Sequence, residues 1–175
     1  MRLRLLPIVV AAALASRGGL ARAELDGETF TSTAAGVRLD APRGWRASEA
    51  SGYPRVLLRL SRSTPPAKIT IAIDRIVPGC LTAPDAVFCS SEPNAAAAQL
   101  RTRLDGLGVR VTAQQQSRTP ELEYEANRRY VRHALIIVGD QVVSVVLSTN
   151  SSAARASLRT VFDRLVESVR PLPAR

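Results

Sequence analysis

The sequence predicts an α+β fold, an antiparallel β-sheet flanked by helices. Three observations lead there. Stretches alternating apolar and polar residues recur along the chain, as strands with one buried face require. Two of them, residues 130–138 and 142–149, are apolar on both faces and separated only by Gly139-Asp140. Such strands are covered on both sides. Two further stretches, near residues 93–107 and 152–169, repeat their apolar residues at helical spacing instead. The order is strands, a helix, strands, a helix, which packs most economically as helices on a largely antiparallel sheet.

Before the first strand comes a targeting segment. Arg2 and Arg4 form a positive start, residues 5–15 are apolar, and Ala21-Arg22-Ala23 has the small-x-small pattern of a cleavage site. Eleven apolar residues are too few for a bilayer core of about 30 Å, which takes roughly 20. Residues 1–23 therefore read as a signal peptide cleaved near Ala23, and residues 24–175 as a single exported domain, periplasmic or secreted. No later apolar run is long enough to span a membrane. Loss of Arg2, Arg4, Arg17 and Arg22 takes the net charge from +9 to +5. The basic residues are scattered and almost all arginine. Nucleic acid is excluded as a partner because export separates the protein from it.

The elements follow in order. Residues 29–33 supply a short first strand. Gly36-Val37-Arg38-Leu39-Asp40 alternates and stops at Pro42 and Gly44. Trp45, the sole tryptophan, folds onto the core, with ligand stacking as the second reading. Residues 55–62 place Val56, Leu58 and Leu60 on one face; residues 68–77 do the same with Ile69, Ile71 and Ile73. These two runs pair as a hairpin through a loop of four to five residues around Pro65-Pro66.

Residues 78–91 lack a period and carry Cys80 and Cys89, the only cysteines. In an exported chain such an isolated pair reads as a local disulfide. With no further Cys or His nearby, the pair cannot fill a tetrahedral zinc site. A long ordered loop is often functional, which makes this one the preferred partner contact. The next helix has Ser91 as its N-cap, Pro93 in its first turn and Ala97, Leu100, Leu104 and Leu107 as its apolar stripe. Gly106 and Gly108 end it. Residues 109–116 form a strand with Val109, Val111 and Ala113 inward. The polar strand 121–126 lies near an edge, and Asn127-Arg128 makes a tight turn or bulge before the central hairpin. Gly139 stands first in a two-residue loop, as a type II′ turn requires. In the last helix Ala154, Leu158, Val161, Phe162, Leu165 and Val169 form the apolar stripe.

Gly36-Val37-Arg38-Leu39-Asp40-Ala41-Pro42-Arg43-Gly44-Trp45 resembles the opening strand and P-x-G-W turn of PsbP-like domains. The terminal hairpin and the helix ending in Glu167-Ser168-Val169-Arg170 are similar to that family's close. The resemblance covers roughly residues 27–172 and implies an α/β/α sandwich around an antiparallel sheet. It also implies a role in binding and assembly: members include extrinsic accessory proteins of photosystem II, a nuclear-transport regulator that binds a small GTPase, and exported bacterial proteins. The cysteine loop is not part of the family pattern.

Catalytic equipment is sparse. The chain has no phosphate-binding glycine loop, no nucleophile elbow and no two-histidine metal motif. No cofactor is implied. The lone histidine, His133, lies in a strand on the face of Val131 and Leu135 and reads as a hydrogen-bonded sheet residue; an enzyme would have to use it as its base. Glu121, Glu123 and Glu125 share a face, which suits a solvated row better than a calcium site. Arg128, Arg129 and Arg132 with Tyr130 are the sharpest basic cluster, Arg128, Tyr130 and Arg132 sharing a face. The expected function is thus a non-catalytic binding or accessory module that contacts an envelope protein. The alternatives are an enzyme acting on an envelope substrate and a binder of small anionic ligands.

Overall fold

A computed structural model describes residues 24–26, 28–48, 55–80 and 87–173 of the 175. The expected signal segment, residues 1–23, lies outside the described residues. In chain order the strands are β1 Glu24–Asp26, β2 Thr29–Ser32, β3 Val37–Asp40, β4 Arg46–Ser48, β5 Val56–Ser63, β6 Pro66–Ile76 and β7 Val87–Phe88. Helix α1 spans Pro93–Gly106. Strands β8 Val111–Gln115, β9 Glu121–Ala126, β10 Arg129–Val138 and β11 Gln141–Thr149 follow. Helices α2 Ser152–Ser157 and α3 Arg159–Ser168 and strand β12 Arg170–Pro171 complete the described chain.

The structure is mostly antiparallel sheet with few helices. The large sheet runs β4-β5-β6-β11-β10-β9-β8, with β7 added parallel to β6. The hairpin β10–β11 sits in its middle, paired from Tyr130 with Thr149 to Val138 with Gln141. Gly139 has φ +60 and Asp140 does not have a positive φ, which suits the expected type II′ turn. A second sheet, β1-β2-β3-β12, is one the sequence pattern did not separate. Its strands are two to four residues long, too short to show a period, and β12 reaches β3 across most of the chain. The Asp40 N–H also donates to Ser168 Oγ at 2.9 Å, tying β3 to the end of α3.

The alternation along β10 and β11 separates two buried clusters. Ala134, Val143, Val145 and Leu147 pack with Leu58, Leu60, Ile69 and Ile71 and with Leu158, Phe162, Leu165 and Val166. Val131, Leu135 and Val142 point the other way and pack with Leu122, Tyr124 and Phe88 and with Ala96, Ala97 and Leu104 of α1. Each large side chain buried in this way contributes roughly 1.5–3 kcal/mol. No described helix is long and apolar enough to cross a membrane.

Several local expectations are corrected. The β5–β6 turn has two residues, Thr64 and Pro65, because Ser63 already pairs with Pro66. Glu92, not Ser91, caps α1: its carboxylate accepts from the N–H groups of Asn94 and Ala95, which also lowers its pKa. Leu107 is the C-cap and is 79% exposed, so the apolar face of α1 is Ala96, Ala97, Leu100 and Leu104. Strand β8 begins at Val111, and a register shift between Val111 and Ala113 leaves Ala113 exposed. The last helix is two helices, broken at Leu158, and the break lets Leu158 and Phe162 enter one core.

Candidate functional site

The expected disulfide is present. Cys80 and Cys89 are joined at 2.01 Å with Cα atoms 5.0 Å apart. Residues 81–86, the bulk of the loop they close, lie outside the described residues. Its return stem is held firmly. The Cys89 N–H donates to Gln99 Oε1 at 2.9 Å, and the Arg103 guanidinium lies over the Phe88 ring at 4.8 Å while donating to the Val87 carbonyl. The departing strand ends beside the β10–β11 turn, where the Ile76 N–H donates to the Asp140 carbonyl.

The basic cluster lies at the other end of β10. Ten residues at about 3.3 Å each put the two candidate contacts roughly 30 Å apart along that strand. Ala126 pairs with Arg129, leaving Asn127 and Arg128 as the two turn residues. Both have positive φ, 52 and 59, which makes the turn type I′. Arg128 is exposed; Arg129 and Tyr130 are half-buried. The Arg155 guanidinium lies over the Tyr130 ring at 5.9 Å and also pairs with Glu123 at 3.1 Å.

Arg132 belongs elsewhere. Alternation does put it on the same side of the sheet as Tyr130, but there α3 covers it. It is 4% exposed, with Phe162 stacked beneath its guanidinium at 5.0 Å. Its Nε donates to Glu121 Oε2 at 2.5 Å, and its Nη2 lies 2.8 Å from Asp163 Oδ1. That second contact is close but not aligned as a hydrogen bond, so Asp163 Oδ1 has no donor among the described residues and Arg132 Nη1 no acceptor. Burial raises the Glu121 pKa; the bond from Arg132 opposes the rise.

These groups form the floor of a cleft of about 550 Å³, walled by Ser117, Arg118, Thr119, Arg159 and Glu167. Three arginines face three carboxylates, so the cleft carries no net charge to attract an ion. Two members of the glutamate row are likewise engaged: Arg132 takes Glu121, and Arg155 takes Glu123. Among the described residues no three His, Cys, Asp or Glu side chains converge as a metal site would require.

His133 is 7% exposed and faces the α1 side of the sheet. Its Nδ1 lies 3.2 Å from the Tyr124 hydroxyl, and its Nε2 has no partner among the described residues. Burial pushes its pKa down to about 4 and that of Tyr124 up to about 12. The imidazole is neutral at pH 7 but walled off from any substrate, so the geometry does not favour it as a base. The sequence had no signal for the Glu121–Arg132–Asp163 group, whose members come from three elements.

Neither a family model nor a curated protein matches the chain. Solved structures do. The solution structure of cyanobacterial PsbP (CyanoP) from Synechocystis sp. PCC 6803 superposes with a TM-score of 0.57 at 18% identity, covering 91% of this chain and 99% of that one. The crystal structure of the Saccharomyces cerevisiae Ran-binding protein Mog1p gives 0.51 at 13% identity, covering 85% and 97%.

The chain has the PsbP-like fold.

Coverage of most of both chains at such low identity means that the layout of strands is shared while most residues differ. The PsbP-like fold thus accounts for the element order. It leaves the chemistry of the surface to this chain's own residues.

Proposed function

We propose that this protein is an exported, non-catalytic binding module whose basic rim, Arg128 and Arg129 beside Tyr130, contacts an acidic envelope protein. The observation that carries the reading is Arg128 at φ +59. The second position of a type I′ turn favours glycine, and an L-residue there costs roughly 1–2 kcal/mol. The turn nevertheless presents an exposed arginine, beside a second one and an aromatic ring that Arg155 supports. Backbone strain of this kind is a pointer to function when it is observed rather than assumed.

Other features support the reading. Mog1p, which shares the fold, is named for binding a protein, Ran. The disulfide suits an oxidising compartment, which agrees with export through residues 1–23. The same reading extends to the layering, with α1 on one face of the large sheet and α2 and α3 on the other as an α/β/α sandwich. Arg132 drops out of the rim because it is already paired. The loop closed by Cys80 and Cys89, at the opposite end of the sheet, is the alternative contact.

Cross-linking in the periplasm followed by recovery of the tagged protein tests the rim. Arg128→Gly with Arg129→Gln should lose the recovered partner while deletion of residues 81–86 keeps it. The reverse pattern would move the contact to the disulfide loop, and recovery unaffected by either change would overturn both.

A further inference from the structure

We propose that a second cleft, independent of the basic rim, binds a small monoanion with an apolar body. It lies between the P-x-G-W turn and α3 and has a volume of about 510 Å³, within the range of about 300–1,000 Å³ usual for small-ligand sites. Its apolar lining comes from Pro42, Trp45, Val161 and Leu165. Four such side chains from the turn and the helix provide a surface that favours an apolar body over a hydrated ion.

The cations around it are unequally committed. Arg43 pairs with Glu28 at 2.6 Å. Arg62 is fixed as part of the wall: its Nε and Nη2 both donate to the Thr64 carbonyl, and its guanidinium lies over the Trp45 ring at 5.6 Å. Arg164, exposed on α3, has no ion pair among the described residues. The acids are both occupied, Glu28 by Arg43 and Asp40 by the Thr29 hydroxyl at 3.2 Å. The lining therefore carries one cation in excess, and Arg164 is the one placed to take an anionic group. A guanidinium beside a partly desolvated wall holds a carboxylate or sulfonate by charge-assisted bonds.

Trp45 adds a further observation. Its indole N–H is buried and meets no acceptor among the described residues. Leaving a buried donor unpaired is unfavourable. Among the described residues the ring is held by packing and by Arg62.

Trp45 is the only tryptophan, so it reports on its own cleft. The probes are 8-anilinonaphthalene-1-sulfonate and its neutral counterpart N-phenyl-1-naphthylamine, which share an apolar body and differ in the charged group. Energy transfer from Trp45 to the sulfonate should saturate at one site per chain. Arg164→Gln should weaken the sulfonate about tenfold and leave the neutral probe within twofold, with an unchanged thermal melt. Arg128→Gly should change neither, which separates this site from the rim. The proposal is overturned if transfer does not saturate, if Arg164→Gln binds the sulfonate as the wild type does, or if both probes weaken alike.

Discussion

Arg128→Gly separates the fold from the contact at one position. The native φ of +59 is a conformation that costs an L-residue roughly 1–2 kcal/mol and glycine little. Glycine also loses more freedom on folding, which takes back about 0.4–1 kcal/mol. The side chain is exposed and has no ion pair among the described residues, so its removal opens no cavity and orphans no charge. The balance is a stabilisation of about 0.5–1 kcal/mol, a rise in Tm of roughly 1–4 °C for a chain of this size. Arg128→Ala removes the same charge and keeps the left-handed cost, so it should melt with the wild type. Circular dichroism melts and urea titrations of the three proteins give the comparison. Both variants should bind the partner more weakly, although one is more stable and the other unchanged. A glycine variant that melts below the alanine variant would refute the assignment of strain to this turn. Full partner binding by both would refute the rim.

Other expectations concern the buried polar groups and the disulfide. His133 has a folded pKa of about 4, below its unfolded value of about 6.5, so the unfolded chain binds the extra proton. Its contribution is complete above about pH 6.5 and falls as pH drops towards 4. The total is on the order of 3 kcal/mol, and His133→Gln should flatten urea-measured stability across that window. Arg132→Ala leaves Glu121 and Asp163 facing each other without their cation and should cost about 3 kcal/mol in chemical denaturation. Arg132→Met with Glu121→Leu should cost less than Arg132→Ala alone; an equal or larger loss would show that the pair does more than neutralise itself. Cys80→Ser with Cys89→Ser opens a loop of about ten residues and should cost roughly 2–3 kcal/mol, read as a lower urea midpoint.

Strand β10 shows how far the sequence reaches. Its alternation placed Val131, His133 and Leu135 on one side and Tyr130, Arg132 and Ala134 on the other, and the two clusters divide along that line. The same alternation suggested that Arg132 shares an open face with Arg128. A strand pattern gives the side of a residue but not what lies above it. Here the cover is α3, whose Asp163 and Phe162 are about thirty residues away in the chain. The α1 stripe erred for a related reason. Leu107 fits the helical period but falls on the C-cap, where the chain has already left the helix.

By itself, then, the sequence determined the strand periods, the two hairpin turns around the centre, the local cysteine pair and the likeness to PsbP-like domains. Apart from the element order behind that likeness, these depend on residues close together in the chain, where alternation, glycine and loop closure act directly. Only the tertiary structure decided the separate small sheet, the burial of Arg132 against Glu121 and Asp163, and the cleft between Trp45 and Arg164. Each joins segments far apart in sequence, and no local periodicity records which charge will meet which once helices close over a sheet.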